Sequence, residues 1–270
     1  MESLTLLKMN SGSTFLQDKN NRAIINALKP TVYLNKDIMY LNNVKITEYD
    51  IKSAGWTVIK HKKLLPEKDL AYLETCTKYE RNVFIGKRIR ENPKINEILL
   101  SEFEKARCAF GVINQINPAY VLSIKKDAIF VIKERPRTLK VGYFEFVPKN
   151  TYTSYAYLNG CEFYYNQEQL DIKGISEENI EKCEAFLKYL KNIFRVSELY
   201  TGEKLIKMLK RYSKDYLGGL LPIETYRELK SGLFSLKWSS YKIESLDSFN
   251  DADIRDNFLR YVNPLISNII

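Results

Sequence analysis

Two apolar stretches of this chain each carry one aspartate where strand packing calls for an apolar side chain. The first is Glu48-Tyr49-Asp50-Ile51-Lys52-Ser53-Ala54, and the second runs from Val121 through Ile124, Asp127 and Ala128 to Ile132. A carboxylate set in such a stretch is costly to bury unless it is paired or binds a cation. Two acids brought together from distant parts of one chain could hold a pair of divalent cations, the arrangement that serves in-line attack on phosphorus. This pattern points to an α+β protein whose sheet carries acidic chemistry rather than to an anonymous basic domain.

The chain has 270 residues, enough for one large domain or two or three subdomains. Hydrophobic content of 45% and charged content of 28% are ordinary for a globular protein. No apolar run has the length needed to span a bilayer, and the N-terminus lacks a basic region followed by an apolar stretch. The expectation is a cytoplasmic protein without a membrane partner. The net charge of +9 favours a polyanionic partner, most simply nucleic acid. Nineteen Tyr beside many Lys suit a groove in which rings stack and cations meet phosphate, although AT-rich codon usage gives the same composition. Cys76, Cys108, Cys161 and Cys183 form no C-x-x-C, and His61 is the sole histidine. A zinc site and histidine-based triads are disfavoured, and the cysteines read as reduced structural residues.

Along the chain, residues 1–37 are mixed, with turn-like stretches at 10–13 and 18–21. Strands at 38–41 and 44–51 read as a hairpin turning at Asn42-Asn43. A helix follows over 53–63. The pattern is helical from Pro66 to Gln115, with a break at Asn92-Pro93. One strand is expected over 121–134, paired with a strand at 143–147. A hairpin over 152–165 turns at Asn159-Gly160. Helices are expected near 177–195, 201–214 and 223–233, with a partly helical tail over 247–270.

Residues 48–56 resemble motif A of the family B DNA polymerases, D-x-x-S-L-Y-P-S: Asp50 and Ser53 match, while Ala54, Gly55 and Trp56 replace Leu, Tyr and Pro. Lys78-Tyr79-Glu80-Arg81-Asn82-Val83-Phe84-Ile85-Gly86 resembles the fingers motif K-x-x-x-N-S-x-Y-G through Lys78, Asn82 and Gly86. Lys125-Lys126-Asp127-Ala128 falls where that family has D-T-D-S and keeps the second acid. Lys149-Asn150-Thr151-Tyr152 resembles the K-K-x-Y element, and Lys173-Gly174-Ile175-Ser176 resembles K-G-[IL]-E without its acid. The resemblance covers residues 40–195, and no exonuclease domain is seen.

The resemblance implies a palm-type antiparallel sheet with a helical fingers insertion and a helical thumb-like region. On that reading residues 1–37 are an N-terminal extension. Residues 38–65 and 118–175 are the two parts of the palm, 66–117 the fingers-like insertion, and 176–270 the thumb-like part. It implies a nucleotidyltransferase, a polymerase or primase, that adds nucleotides to a 3′-hydroxyl with Mg²⁺ or Mn²⁺ held by Asp50 and Asp127. Ser53, Gly55, Lys78, Arg81, Asn82, Lys87 and Arg88 would bind the nucleoside triphosphate, with Arg81 and Arg88 seven apart on one helix face. Lys125, Lys149, Tyr152 and Lys173 would contact the primer or pyrophosphate. Gly55 stands in place of the tyrosine that excludes ribonucleotides, so a ribose 2′-hydroxyl should be admitted. Lys125, on the strand face of Asp127, would weaken cation binding, and Lys126 would point away. The small size and Lys/Ile/Asn bias would fit a bacteriophage or mobile element. The partners implied are primer and template, nucleoside triphosphates and replication proteins. The alternatives are a degenerate palm-fold nucleic-acid-binding or replication accessory protein, and a nuclease using the same acids, which needs more acidic ligands than the sequence offers.

Overall fold

The computed structural model describes residues 19–38, 40–158, 161–167, 169–174, 191–192, 202–230 and 251–257. The fold is α+β with antiparallel strand pairing, divided into two compact units. The first contains residues 1–36 and 46–151, the second 37–45 and 152–270.

The first unit holds α1 (Lys19–Leu28), β1 (Val32–Leu34), β3 (Ile46–Ile51), α2 (Ala54–Lys62), α3 (Glu67–Thr75), α4 (Lys78–Glu91), α5 (Pro93–Ile113), β4 (Val121–Lys125), β5 (Ala128–Ile132), β6 (Lys140–Val141) and β7 (Phe144–Tyr152), whose last residue passes into the second unit. Its sheet has the order β1-β4-β5-β3-β7-β6. Two helix starts and one helix contact are written plainly in the residues. Thr77 and Glu80 close a capping box at the start of α4. Asn92 caps α5, whose first residue is Pro93. Gly111 lets α1 lie against α5, because a Cβ there would stand 2.1 Å from Leu28 Cδ1 and 2.9 Å from Ile24 Cγ2.

The face of the sheet toward α5 is apolar. Phe110 of α5 stacks on Phe146 of β7, with ring centroids 4.1 Å apart, and meets Tyr49 of β3 at 5.6 Å. Strand alternation sends Tyr49 and Ile51 into this core and places Glu48 and Asp50 on the opposite face. In the same unit, burial pushes the Cys108 thiol up to about 11, in keeping with an inert structural cysteine. Cys76, Cys108 and Cys161 are all free thiols, and Cys183 lies outside the described residues.

The second unit holds β2 (Tyr40–Leu41), β8 (Ser154–Leu158), β9 (Cys161–Tyr165) and β10 (Leu170–Lys173) in the order β10-β9-β8-β2, with α6 (Gly202–Leu217), α7 (Ile223–Lys230) and α8 (Asp251–Asn257). Tyr152, Tyr155 and Tyr164 form a buried ring cluster there. Leu158 pairs with Cys161 as a tight hairpin requires. The expected turn residues Asn159-Gly160 lie outside the described residues, as does nearly all of the helix expected over 177–195.

Four expectations are corrected. The strands flanking Asn42-Asn43 do not form a hairpin: β2 pairs with β8, and β3 pairs with β5, in different sheets. Nearly all of β3 is buried within the larger sheet, with its apolar residues on the core face, which a two-stranded ribbon could not provide. The single strand expected over 121–134 is a hairpin, β4 and β5, turning at Lys126-Asp127. Lys126 adopts a left-handed φ of 55°, so alternation across these residues no longer holds. The strand at β7 lies beside β3 rather than beside β5, whose free edge β3 already occupies. Finally, of the stretch read as a turn at 18–21, Lys19 to Asn21 open α1, held by burial of Ile24 and Leu28, and residue 18 lies outside the described residues.

Candidate active site

Asp50 lies next to the end of β3, and the register pairs it with Ala128, the residue after Asp127. The two acids therefore meet at one end of the sheet, one near a strand terminus and the other in a hairpin turn. The Ile51 amide donates to the Asp127 carbonyl at 3.3 Å, which ties the turn to the strand. Immediately beyond, Ser53 takes a left-handed φ of 49° and starts α2 without a side-chain cap. A non-glycine residue held there is strained, a condition that clusters at functional sites.

The electrostatics follow from this placement. Burial raises the Asp50 carboxyl above its ordinary range, and the Asp127 charge raises it further, against Lys149 and Lys78. Burial likewise raises Asp127, against its own backbone amide, Lys149, Lys126 and Arg107. Lys149 of β7 lies between acids, with Nζ 3.6 Å from Glu48 Oε1 and 3.7 Å from Asp50 Oδ2. Asn150 donates to Glu48 Oε2 at 2.7 Å. Among the described residues, no group of three or more His, Cys, Asp or Glu could hold a metal ion. Two carboxylates are nonetheless a fitting set for Mg²⁺, which takes one or two from protein and the rest from water and substrate phosphate.

The structure brings Asp50, Asp127 and Lys149 together, and the Lys78 charge adds a weaker influence on Asp50. Lys78, Arg81, Asn82, Lys87 and Arg88 share α4. Arg81 lies over the Trp56 ring at 5.7 Å. Arg88 is engaged by Asp69 at 3.0 Å and Glu91 at 2.9 Å and lies over Phe84, so it is a bracing residue rather than a free phosphate ligand. A Cβ at Gly55 would meet nothing within 4 Å, so open space stands at that position. Lys125 ends β4 opposite Ala128 and is not a strand-mate of Asp127. Tyr152 and Lys173 belong to the second unit. Tyr152 is fully buried and its hydroxyl donates to Asp171, which leaves no exposed ring or hydroxyl for a primer. Lys173 ends β10 opposite Glu162.

Three contributors were not read from the sequence. Glu48 is two residues from Asp50, so the period of a strand places both on one face. Asn150 carried no signal. Arg107 interrupts the apolar run Ala106 to Phe110, a signal that was present. Its guanidinium is fully buried and donates to Leu28 O at 3.1 Å, Lys29 O at 3.2 Å and Pro30 O at 2.8 Å, and also to Lys126 O in the Asp127 turn. Arg107 thus fixes the hairpin turn to α5 and to the connection after α1.

These features define an α+β protein with an antiparallel sheet and two acids at one of its ends. By comparison of families, residues 24–270 match the family described as Bacteriophage PBS1 gene 130 protein, and the chain belongs to that family. Comparison with curated proteins finds no match. Among the described residues, no helix is long and apolar enough to cross a membrane.

Proposed function

We propose that the chain is a nucleotidyltransferase that extends a nucleic-acid 3′-hydroxyl, with Asp50 and Asp127 as the carboxylates of a Mg²⁺ or Mn²⁺ site. The observation that carries this reading is the meeting of Asp50 and Asp127 at adjacent positions of β3 and the β4–β5 turn. A bound divalent cation supplies activation of the attacking hydroxyl and stabilisation of the leaving pyrophosphate. Asp50 and Asp127, both raised by burial, gain from such a counter-charge. Lys78, at the first turn of α4, and Lys149 supply positive charge for phosphate oxygens. Exposed Lys87 and half-buried Arg81 extend that charge along the helix. The open space at Gly55 supports admission of a ribose 2′-hydroxyl.

One observation favours a second reading. Lys149 already compensates Glu48 and Asp50, as an internal cation would in a site that has lost its metal. A degenerate sheet of this kind would serve as a nucleic-acid-binding replication accessory protein. Binding of a fluorescent nucleoside triphosphate separates the two. The first reading requires Mn²⁺-dependent binding that is lost in Asp50→Ala and Asp127→Ala. Binding of nucleic acid alone, indifferent to metal and to both substitutions, would establish the second.

A further inference from the structure

A separate cavity of about 420 Å³ opens on the first unit, lined by Trp56, Thr57, Lys60, His61 and Tyr143. The first four are spaced i, i+1, i+4 and i+5 on α2 and so form one helix face. Tyr143 comes from the turn between β6 and β7. Its ring stacks on His61 with centroids 3.7 Å apart and planes 18° apart.

The aromatic walls are held in place. The Tyr143 hydroxyl donates to Glu102 Oε2 at 2.5 Å. Glu102 is buried, and Lys105 and Lys62 lie 2.7 Å and 3.3 Å from its carboxylate oxygens. The Arg81 guanidinium lies over the Trp56 indole. No carboxylate is among the lining residues, and Lys60 stands exposed at the rim, bridged to Glu74 at 2.7 Å, so a phosphate would displace that carboxylate to reach it. Fixed rings with a basic rim suit a planar, electron-rich group attached to an anionic backbone. The volume falls in the range of small-ligand sites.

We propose that this cavity is a base-stacking subsite for single-stranded nucleic acid, in which Trp56 receives an unpaired base beside the fixed His61–Tyr143 stack and Lys60 meets a flanking phosphate. The proposal goes beyond the transfer reaction, because stacking needs neither the carboxylates nor a metal. A duplex keeps its bases stacked on one another and offers none to the cavity.

The chain has two tryptophans, Trp56 and Trp238, so the full-length Trp238→Phe protein isolates the Trp56 fluorescence. Titration in EDTA would use oligothymidylate, the same-length abasic strand and a same-length duplex. The expected result is saturable quenching by oligothymidylate alone, with the abasic strand and the duplex each bound about tenfold or more weakly. Trp56→Ala, followed by fluorescence anisotropy of a labelled oligothymidylate, should weaken binding about tenfold. Lys60→Glu, at an exposed position that should not disturb folding, should weaken it and flatten its salt dependence. Equal binding of the abasic strand, or binding without a change in Trp56 emission, would overturn the proposal. Asp50→Ala and Asp127→Ala should quench as wild type does. Quenching without strand extension would leave this subsite standing and the transfer reading fallen, and extension without quenching would do the reverse.

Discussion

Arg107 should be among the most damaging single positions in the first unit, although it touches no proposed substrate. Its side chain is fully buried and satisfies four backbone carbonyls, one of them in the turn that carries Asp127. Substitution by Met keeps the aliphatic stem and removes every donor. The bond to Leu28 O is buried and the other three are part-buried, so the full cost of about 1–3 kcal/mol for an unsatisfied carbonyl applies at Leu28 and a smaller one at the others. Release of the guanidinium from its own desolvation returns several kcal/mol. The net destabilisation is about 3–5 kcal/mol, a large share of the ~5–15 kcal/mol that holds an ordinary domain folded. At an m-value of about 2 kcal/mol/M, the urea midpoint of the first unit should fall by about 1.5–2.5 M. The local signature is hydrogen exchange of the Lys126 amide, which donates to Thr31 O at 2.8 Å and should lose protection first. Arg107→Lys, which keeps the charge but not the fork, should fall between Met and wild type. A midpoint shift below about 0.5 M, with Lys126 still protected, would refute the view that Arg107 holds the turn in place.

Other perturbations bear on the same architecture. Because burial raises the Asp127 carboxyl, the unfolded chain releases that proton at a lower pH than the folded chain does. Stability should therefore fall as pH rises through the window above the ordinary value of 3.8. In metal-free buffer Asp127→Asn should then melt higher than wild type at neutral pH, with the advantage vanishing as pH approaches 3.8, and thermal melts across pH check this. Gly111→Ala should cost about 1–3 kcal/mol by overpacking Leu28 and Ile24, whereas Gly55→Ala, in α2 with open space for its Cβ, should stabilise by about 0.5–1 kcal/mol and raise the denaturation midpoint. Wild type should incorporate ribonucleotides alongside deoxyribonucleotides, and Gly55→Tyr should suppress the former. Strict deoxyribonucleotide preference in wild type would sink that expectation.

The helical middle of the chain was legible because its signals are local. Pro66 marks the start of α3, and Asn92-Pro93 with the apolar spacing of Phe103, Ala106 and Phe110 bounds α5 to within a few residues. The break between α3 and α4 at Cys76-Thr77 was not read, and Ile98, taken into that stripe, is exposed while Leu99 is buried. Strand partners were less legible, because pairing depends on residues far away in sequence. Asn42-Asn43 has the composition of a hairpin turn, yet burial of Ile46 through Tyr49 draws β3 into the larger sheet. The apolar run around Asp127 concealed a turn for a related reason. Lys126 adopts a left-handed conformation that its side chain does not announce. For the candidate site, Asp50 and Asp127 were legible as misplaced charges, and their juxtaposition follows from the β3–β5 register. Lys149 was read as a primer contact from a motif, and its position between Glu48 and Asp50 depends on β7 lying beside β3. Tyr152 looked exposed in its motif, yet the ring cluster and Asp171 of the second unit claim it.

The central claim is that Asp50 and Asp127 act together on a phosphoryl group. Its most direct test is extension of a labelled primer on a template, with Mg²⁺ or Mn²⁺ and all nucleoside triphosphates, by wild type, Asp50→Ala and Asp127→Ala. The account predicts extension by wild type and its loss in both variants, with circular dichroism showing all three folded. Extension that survives either substitution, or its absence in wild type under both metals while nucleic acid still binds, would contradict it.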